Sequence, residues 1–284
     1  MSTLIHPTAV VAPTAQLGVD VEVGPYTMVG PFVTIGDRTR IGPQVVVEGV
    51  THIGEENIIV GQAALGNAPQ DLSYRGEPTK LIIGDRNTVR EFVTVNRGTI
   101  KGGGVTSMGN DNLLMACSHV AHDCELENKI ILGNGVLLAG HCRVESCANL
   151  SGMSGAVAFT TIGAYAYIGA MTRIARDVPP YMIVEGHEAR VRGINLVGLQ
   201  RNGVPPEDVD FLRDIFKRIW RSGKPRRPIL DELNTEEHTS PFVIELLASM
   251  GRTELGLKGR YRESRREEFN QLGIDSILEG VERP

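Results

Sequence analysis

Residues 5–46 read IHPTAV, VAPTAQ, LGVDVE, VGPYTM, VGPFVT, IGDRTR and IGPQVV when they are divided into sixes. Each hexad begins with Ile, Val or Leu, and its fifth residue is Ala, Val or Thr. The same frame returns in residues 47–70 and 83–100, and it resumes one residue out of phase in residues 108–179, where Ala156 is an exception among the first residues. Self-similarity at a fixed short period predicts a solenoid whose repeats contact only their neighbours.

A hexad has the length of one short strand and a corner. Three hexads then close one triangular coil, and residues one coil apart stack at the strand spacing of about 4.8 Å. Glycine at the second position, as in Gly24 and Gly36, is expected to ease the bend. The chain has few aromatic residues (Phe 7, Tyr 6, Trp 1), so stacked aliphatic side chains must form the core. The pattern therefore predicts an all-β parallel β-helix.

Two interruptions in the repeat predict loops. Residues 71–82 (DLSYRGEPTKLI) keep the frame but lose the aliphatic first positions, and residues 101–107 (KGGGVTS) shift the frame by one. Loops on a rigid scaffold often carry function.

The repeat ends near residue 180, and helical periodicity follows. Residues 208–220 (DVDFLRDIFKRIW) place apolar side chains at helical spacing, and residues 242–250 predict a second amphipathic helix. We predict a β-helix domain over residues 1–190 and a C-terminal helical domain over residues 191–284. The charged end of the latter, residues 259–284, is interpreted as a frayed tail or a partner-binding helix, and the sequence assigns no role to residues 252–284.

Composition excludes some classes of function. A net charge of −5 and a pI near 5.8 argue against nucleic-acid binding. We find no secretory leader and no apolar run of about 18 residues, so we expect a cytoplasmic protein without stable membrane insertion. The four cysteines form no CxxC pair, and Cys124 and Cys142, which are 18 residues apart, are expected to be small buried thiols.

Three histidines are predicted to converge on the coil. His122 and His141 are one coil plus one residue apart, and His119 lies across a corner in HVAHDC. A histidine near neutral pKa can remove a proton from a hydroxyl, and a carboxylate such as Asp123 can fix its tautomer. Zinc hydration is an alternative, because hexad-repeat carbonic anhydrases bind zinc through three histidines. The spacing here differs from theirs, and we predict no metal and no cofactor.

Several long segments together resemble the UDP-N-acetylglucosamine O-acyltransferases that begin lipid A synthesis. They are QDLSYRGEPTKLIIGDRN (70–87), VTVNRGT (93–99), GNDNLLM (109–115), HVAHDC (119–124), LAGH (138–141) and DVPPY (177–181). The resemblance implies a left-handed parallel β-helix and a homotrimer with active sites between subunits. It further implies transfer of a 3-hydroxyacyl chain from acyl carrier protein to the 3-hydroxyl of the UDP-sugar.

The resemblance also implies roles for individual residues. His122 matches the general base, Asp123 its neighbour, and Gly140 the backbone N–H that holds the oxyanion. Sugar-site positions are matched by Gln70, Asp71, His119 and His141, nucleotide-site positions by Asn195 and Arg201, and the acyl-chain ruler by Tyr167 and Ala170.

The chain departs from the family pattern around the predicted acceptor site. Ser73 replaces a usual lysine, Val157 and Ala158 replace a His-Gln pair, Val197 replaces a glutamate, Asn202 replaces an arginine, and His187 replaces an asparagine. These changes leave the predicted base intact. We therefore expect acyl transfer to be retained and acceptor recognition to be altered, with another nucleotide sugar or an amino sugar as alternative acceptor.

Two further interpretations remain from the sequence. Basic side chains on the predicted helix, Arg213, Lys217, Arg218 and Arg221, provide a landing site for an acidic carrier protein or only a solvated face. The altered acceptor positions also fit a non-catalytic binding homologue.

Overall fold

The computed structural model describes residues 3–280, with side chains up to residue 273. Each coil adds one strand to each of three parallel sheets, and the paired residues are one coil apart. Leu4 pairs with Glu22 in the first sheet and Gln16 with Thr34 in the third. This is the register that the hexads predict.

The strands are mostly two residues long, as expected for hexads that spend their other residues on corners. In chain order they are β1 (Leu4–Ile5), β2 (Val10–Val11), β3 (Gln16–Leu17), β4 (Glu22–Val23), β5 (Met28–Val29), β6 (Val33–Ile35), β7 (Arg40–Ile41), β8 (Val46–Val47), β9 (Val50–Ile53), β10 (Ile58–Ile59), β11 (Ala64–Asn67), β12 (Lys80–Ile83), β13 (Thr88–Val89), β14 (Thr94–Asn96), β15 (Val105–Met108), β16 (Leu113–Leu114), β17 (His119–Val120), β18 (Glu125–Leu126), β19 (Ile131–Leu132), β20 (Leu137–Leu138), β21 (Arg143–Val144), β22 (Asn149–Leu150), β23 (Gly155–Ala156), β24 (Thr161–Ile162), β25 (Tyr167–Ile168), β26 (Arg173–Ile174), β27 (Met182–Glu185) and β28 (Arg190–Ile194).

The three sheets are the faces of the prism. Sheet A runs from β1 through every third strand to β25 and ends in β27 and β28, sheet B runs from β2 to β26, and sheet C from β3 to β24. The predicted left-handed parallel β-helix followed by a C-terminal helical region is confirmed.

The first residue of each hexad points into the prism. Leu65, Leu114, Leu132, Leu138 and Leu150 are completely buried. Burying such a side chain contributes about 1.5–3 kcal/mol, so the stacked aliphatics are the main stabilising element of the coil.

The corners are formed by residues with positive φ, and most of them are not glycine. Between sheets B and C, Asp123, His141 and Phe159 stack one above another, with φ of 62°, 64° and 66°. We call these three residues the histidine edge. Between sheets A and B, four of the corresponding residues have large, exposed, apolar side chains: Tyr26, Phe92, Met153 and Met171. We call these four the apolar edge.

Glycine is required at the second position of the hexads for a different reason from the one we expected. Gly24 and Gly36 do not have positive φ, so they do not make the bend. A Cβ on Gly24 would lie 2.7 Å from the carbonyl carbon of Gly42, and one on Gly36 would lie 2.6 Å from that of Gly54. Close approach of successive coils, not corner flexibility, requires glycine here.

The two interruptions are loops, as predicted. The first leaves the coil after β11 and returns at β12, so it lies slightly earlier in the chain than the predicted range. The second contains a short 3₁₀ helix, Ile100–Gly102, before β15.

The C-terminal region is helical. It consists of α1 (Leu196–Arg201), α2 (Pro206–Phe216), a π-helical segment (Lys217–Arg221), α3 (Arg226–Leu233), α4 (Pro241–Leu255), α5 (Tyr261–Ser264) and α6 (Arg266–Gly280). Both predicted helices are present. The division into domains at residue 190 stays a prediction, and β28 begins there and pairs with β27.

The charged C-terminal stretch does not fray where its side chains are described. Residues 261–273 pack against the β-helix, and Arg262 is buried. Residues 281–284 of the predicted tail lie outside the described residues. None of the helices within residues 3–280 has the length and apolarity that a bilayer crossing requires.

Candidate active site

An open groove of about 670 Å³ runs along sheet B. The apolar edge borders it on one side through Met153 and Met171, and its floor includes His119 and Val157. The remaining lining residues are Gln70, Thr94, Leu137, Leu138, Ala139, Gly155, Ala156, Thr172 and Arg173. Two of the predicted sugar-site residues, Gln70 and His119, therefore share one groove.

His122 and Asp123 form a short hydrogen bond at the corner beyond β17. His122 Nδ1 lies 2.7 Å from Asp123 Oδ2, and the two side chains are 13% and 0% exposed. Adjacent residues of a flat strand point to opposite faces, but the positive φ of Asp123 turns both side chains to the same side. The hydrogen bond places the proton on Nδ1 and leaves Nε2 to accept one.

The Asp123 carboxylate is held by the loop before β15. Its Oδ1 accepts from the Thr99 backbone N–H at 2.7 Å, and its Oδ2 accepts from Thr99 Oγ1 at 2.6 Å. The Asp123 N–H in turn donates to Thr106 Oγ1 at 2.7 Å. Gly102 lies so close that an added Cβ would be 2.0 Å from Asp123 Cγ. A buried carboxylate with these donors is fixed in position.

His141 lies on the next coil, in contact with His122. The two rings meet edge to face with centroids 5.1 Å apart, and the His141 N–H donates to the His122 carbonyl at 3.0 Å. On its other side His141 stacks on Phe159 at 4.2 Å. Burial lowers the pKa of His141 to about 4, against the opposing effect of Asp123. His141 is therefore neutral at pH 7.

His119 completes the cluster from β17. Its Nδ1 lies 2.7 Å from Thr94 Oγ1 on the preceding coil. Burial, followed by the charge of His122, lowers the pKa of His119 below its usual value. The structure thus brings His119, His122 and His141 together, as the sequence predicts.

Gly140 lies against the His122 ring. A Cβ at this position would be 2.5 Å from His122 Cε1 and 2.8 Å from Nε2, so only glycine fits. Within residues 3–280, the Gly140 N–H has no hydrogen-bond acceptor, whereas the neighbouring Ala139 and His141 N–H groups donate to Ala156 and His122. This N–H can bind a developing negative charge next to the ring.

Asp71 lies in the first loop. Its carboxylate is held by Ser73, the residue that stands where the family pattern has a lysine. The Ser73 N–H and Oγ both donate to Asp71 Oδ1 at 2.8 Å. These two bonds lower the pKa of Asp71, and Lys101 contributes to the lowering with Nζ 3.9 Å from Oδ2. Ser73 therefore fixes the carboxylate, and a cation lies nearby on the second loop.

The two predicted nucleotide-site residues lie on α1. Asn195 caps this helix: its Oδ1 accepts from the Gly198 N–H at 3.0 Å, and its Nδ2 donates to the Tyr165 carbonyl at 2.8 Å. Arg201, in the last turn, is exposed. Among the described residues, no hydrogen bond or ion pair joins Asn195 or Arg201 to the histidine cluster. Their nucleotide-binding role stays a prediction.

The two predicted ruler residues do not line the groove of a single chain. Tyr167 is on sheet A, where its hydroxyl accepts from Ser151 Oγ at 2.8 Å. Ala170 is exposed and precedes Met171, which lines the groove. Their role as an acyl-chain ruler stays a prediction.

The predicted basic landing site is partly neutralised. Arg213 pairs with Asp210 at 2.7 Å, and Arg218 lies 3.2 Å from Glu232. Lys217 and Arg221 have no acidic partner within ion-pair distance in the part of the chain that the structure describes. Of the four residues, Lys217 and Arg221 therefore carry the positive charges that no ion pair within the described residues neutralises.

The metal alternative has a geometrical basis, because donor atoms of His122, Asp123 and His141 lie within 4.8 Å of one another. Asp123 Oδ2 is already shared by His122 Nδ1 and Thr99 Oγ1. A cation there would have to displace the hydrogen bond that orients His122. These hydrogen bonds fit a histidine–carboxylate pair better than they fit an open zinc site.

Sequence reasoning missed several residues of the cluster. Thr99 lies just before the second interruption and Thr106 within it, Phe159 follows the altered Val157-Ala158 pair, and Arg262 belongs to the charged tail. The Arg262 Nε donates to the His141 carbonyl at 3.0 Å. The stacking of Phe159 on His141 follows from the repeat, since the two are one coil apart. The position of Arg262 has no local sequence signal.

Comparison with known proteins was informative. The model of the family described as "Udp N-acetylglucosamine O-acyltransferase; Domain 2" matches residues 177–258, and a hexapeptide-repeat model matches residues 14–49. A protein of Verminephrobacter eiseniae named acyl-[acyl-carrier-protein]–UDP-N-acetylglucosamine O-acyltransferase is 51% identical over 219 residues, which are 77% of this chain and 84% of the relative. The chain belongs to the UDP-N-acetylglucosamine O-acyltransferase family.

Two further relatives of this family support the assignment. A protein of the same name from Janthinobacterium is 48% identical over 87% of this chain and 95% of its own length. The crystal structure of the Francisella novicida UDP-N-acetylglucosamine acyltransferase superposes with a TM-score of 0.84 at 33% identity, covering 87% of this chain and 91% of that one. Residues 259–284 lie beyond the match to the family model.

Proposed function

We propose that this protein transfers a 3-hydroxyacyl chain from acyl carrier protein to the 3-hydroxyl of UDP-N-acetylglucosamine, the first step of lipid A synthesis. Family membership supports the reaction class. The observation that carries the chemistry is the His122–Asp123 pair beside the free N–H of Gly140, because these are a base, its orienting group and an oxyanion donor at one point.

The proposed reaction begins with proton transfer. His122 Nε2 removes the proton of the sugar 3-hydroxyl while Asp123 holds Nδ1–H and stabilises the imidazolium that forms. The sugar oxygen attacks the thioester carbonyl, a C–O bond forms, and the carbonyl oxygen becomes an oxyanion that the Gly140 N–H stabilises. The tetrahedral intermediate then collapses, the C–S bond breaks, and His122 returns the proton to the leaving thiolate.

His119 and His141 are proposed to bind the sugar as neutral imidazoles. Their lowered pKa values keep them uncharged near neutrality, so they can bind a sugar hydroxyl as neutral hydrogen-bonding groups; in His119 this is left to Nε2, because Nδ1 is bonded to Thr94 Oγ1. A neutral pair also avoids adding positive charge beside His122. Gln70 and the fixed carboxylate of Asp71 are the other proposed sugar ligands.

The groove on sheet B is proposed to hold the acyl chain against a second protomer. The apolar edge is exposed in the single chain, with Met153 and Met171 69% and 76% accessible. A row of exposed apolar side chains beside an open groove supports association, and the homotrimer that the family resemblance implies would cover it. Light scattering on the purified protein tests the trimer, and a monomer of full activity would contradict it.

Acceptor identity is tested directly by mass spectrometry of the product. Purified protein is incubated with 3-hydroxyacyl carrier protein and either UDP-N-acetylglucosamine or its 3-amino analogue. Ester product with the first acceptor, cleaved by mild base, supports the proposal. Transfer only to the amine would assign the protein to the alternative acceptor, and transfer to neither would favour the non-catalytic homologue.

A further inference from the structure

The C-terminal residues 261–273 follow the histidine edge of the β-helix. Asp177 anchors their start, because its Oδ2 accepts from the Tyr261 N–H at 2.8 Å and its own N–H donates to the Gly259 carbonyl at 2.8 Å. From there the chain passes over the two coils that carry Phe159 and His141. We call residues 261–273 the C-terminal cap.

Arg262 is the central contact of the cap. Its side chain is 10% exposed, its Nη2 donates to Glu125 Oε1 at 2.8 Å, and its Nε donates to the His141 carbonyl at 3.0 Å. The His141 N–H donates in turn to the His122 carbonyl. One buried guanidinium therefore fixes the turn that carries His141 and, through it, the backbone of His122.

Arg266 extends the contact from the first turn of α6. Its guanidinium lies 4.7 Å from the centre of the Phe159 ring, and Phe159 stacks on His141 at 4.2 Å. The three groups form one layered stack of guanidinium, phenyl ring and imidazole, an arrangement that cation–π attraction stabilises. His141 is thus held at two points: its ring packs against Phe159, and its carbonyl accepts the hydrogen bond from Arg262.

The far end of the cap reaches the loop that holds Asp123. A Cβ on Gly273 would lie 1.8 Å from the Ile100 carbonyl oxygen, so α6 touches the 3₁₀ helix Ile100–Gly102 directly. On its other side this short helix adjoins Thr99, whose N–H and hydroxyl bind Asp123. The cap therefore contacts the supports of both residues that flank His122.

We propose that the C-terminal cap completes the active site, with Arg262 as a positioning residue that holds the His141 turn and α6 as the brace for the Thr99–Asp123 contact. This inference rests on the proposed function for its kinetic part. It lies outside the family-model match, which ends at residue 258. The cap contacts the His141 turn and the 3₁₀ helix next to Thr99. Its effect is transmitted through His141 and Asp123.

The charge of the cap gives the proposal a measurable signature. The charged and titratable groups facing His141 are Asp123, His122, Arg262 and Arg266. Burial is the main cause of the lowered pKa of His141, and the positive charges of His122, Arg262 and Arg266 lower it further. Removing the Arg262 charge should raise the pKa of His141, whereas a purely structural role elsewhere would leave it unchanged.

The first experiment compares Arg262→Met with Arg262→Lys and the matched control Arg265→Met. Arg265 is in the same segment, but it is 44% exposed; its guanidinium pairs with Glu268 and lies over the rings of Tyr261 and Phe269, and within the described residues it makes no hydrogen bond to the His141 turn. Misplacement of a catalytic group by about 1 Å can cost about 100-fold in rate, so we expect kcat of Arg262→Met to fall at least tenfold, and the KM for the nucleotide sugar to rise because the displaced turn carries the proposed sugar ligand His141. Histidine-selective NMR should show a raised pKa of His141 in Arg262→Met but not in Arg262→Lys or in the control.

The second experiment leaves Arg262 in place and displaces α6. Gly273→Ala introduces a Cβ into the Ile100 carbonyl, whereas the control Gly251→Ala, in α4, adds one to open space. We expect a reduced kcat for Gly273→Ala and an unchanged kcat for Gly251→Ala. If Arg262→Met fails to fold, Gly273→Ala alone decides the proposal.

Wild-type kcat in both Arg262→Met and Gly273→Ala, with an unchanged pKa of His141, would overturn the cap proposal. Failure of the wild-type protein to acylate UDP-N-acetylglucosamine would instead reject the proposed function. In that case the NMR titration, which needs no turnover, still tests whether the cap controls His141.

Discussion

His122 and Asp123 are consecutive in the chain, yet their side chains meet, with Nδ1 and Oδ2 2.7 Å apart. The contact is possible because Asp123 occupies a corner position with φ of 62°. The next two coils repeat this corner at His141 and Phe159, so the backbone geometry at Asp123 is shared with its neighbours in the solenoid. What is particular to this corner is the set of donors from Thr99 that fixes the carboxylate.

Asp123→Asn tests the orienting role of this carboxylate. An amide can still accept from Thr99, but it does not stabilise the His122 imidazolium and no longer selects one tautomer. We expect kcat to fall by roughly 100- to 10,000-fold, the range that a positioned proton-transfer group contributes. Circular dichroism should match the wild type. A loss of less than threefold would show that Asp123 has a structural role alone.

Gly140→Ala tests the contact between the proposed oxyanion donor and the base. The added Cβ would lie 2.5 Å from His122 Cε1, so the ring must move or the corner must open. We expect kcat to fall at least about 100-fold, as for a base displaced by about 1 Å. Gly193→Ala is the matched control, because a Cβ there meets open space. Equal activities of the two variants would contradict the assignment of Gly140.

Stability should depend on pH through His141. Its pKa is lowered from 6.5 to about 4 in the folded protein, so between these values the unfolded chain binds a proton that the folded chain does not. Stability is therefore fully present above pH 6.5 and is lost as the pH falls toward 4. At about 1.4 kcal/mol per pKa unit, His141 accounts for at most about 3 kcal/mol.

Urea unfolding over this pH range measures the effect. His119 titrates in the same direction, so it provides a second contribution. The His141→Gln variant lacks the contribution of His141, so its free energy of unfolding should decline less steeply as the pH falls. A decline as steep as that of the wild type would mean that His141 does not have the lowered pKa.

Carrier recognition should depend on the two unpaired basic residues of the helical region. Lys217→Glu combined with Arg221→Glu is expected to raise KM for the carrier-bound donor several-fold and to leave transfer from a small thioester unchanged, because surface charges mainly affect encounter. Arg190→Glu, at an exposed site on β28, is the control. Equal slowing with both donors would place the effect in the active site instead.

The repeat made the fold predictable from the sequence. Each core position is occupied by an aliphatic residue at a fixed interval, and a single period therefore determines the register of all three sheets. His122 and His141 could be placed side by side because their spacing, one coil plus one residue, is read from the same period. The stacking of Phe159 on His141 was available from the same argument.

Contacts that do not follow the period were not predictable. Arg262 reaches His141 across 121 residues of chain, and only the docking of the C-terminal helices brings it there. From the sequence, Ser73 only removes the positive charge of a usual lysine. In the structure, Ser73 also holds the carboxylate of Asp71 through two hydrogen bonds. The role of Asn195 as the N-cap of α1 was not predictable either, because the hexads do not specify where the helical region begins.

The most direct test of the proposed chemistry is the single-turnover rate of acyl transfer by His122→Ala, measured with 3-hydroxyacyl carrier protein and UDP-N-acetylglucosamine against the wild type. We expect a rate at least about 100-fold lower, with binding of the nucleotide sugar largely retained. A His122→Ala rate within a few-fold of the wild-type rate would contradict the assignment of His122 as the base.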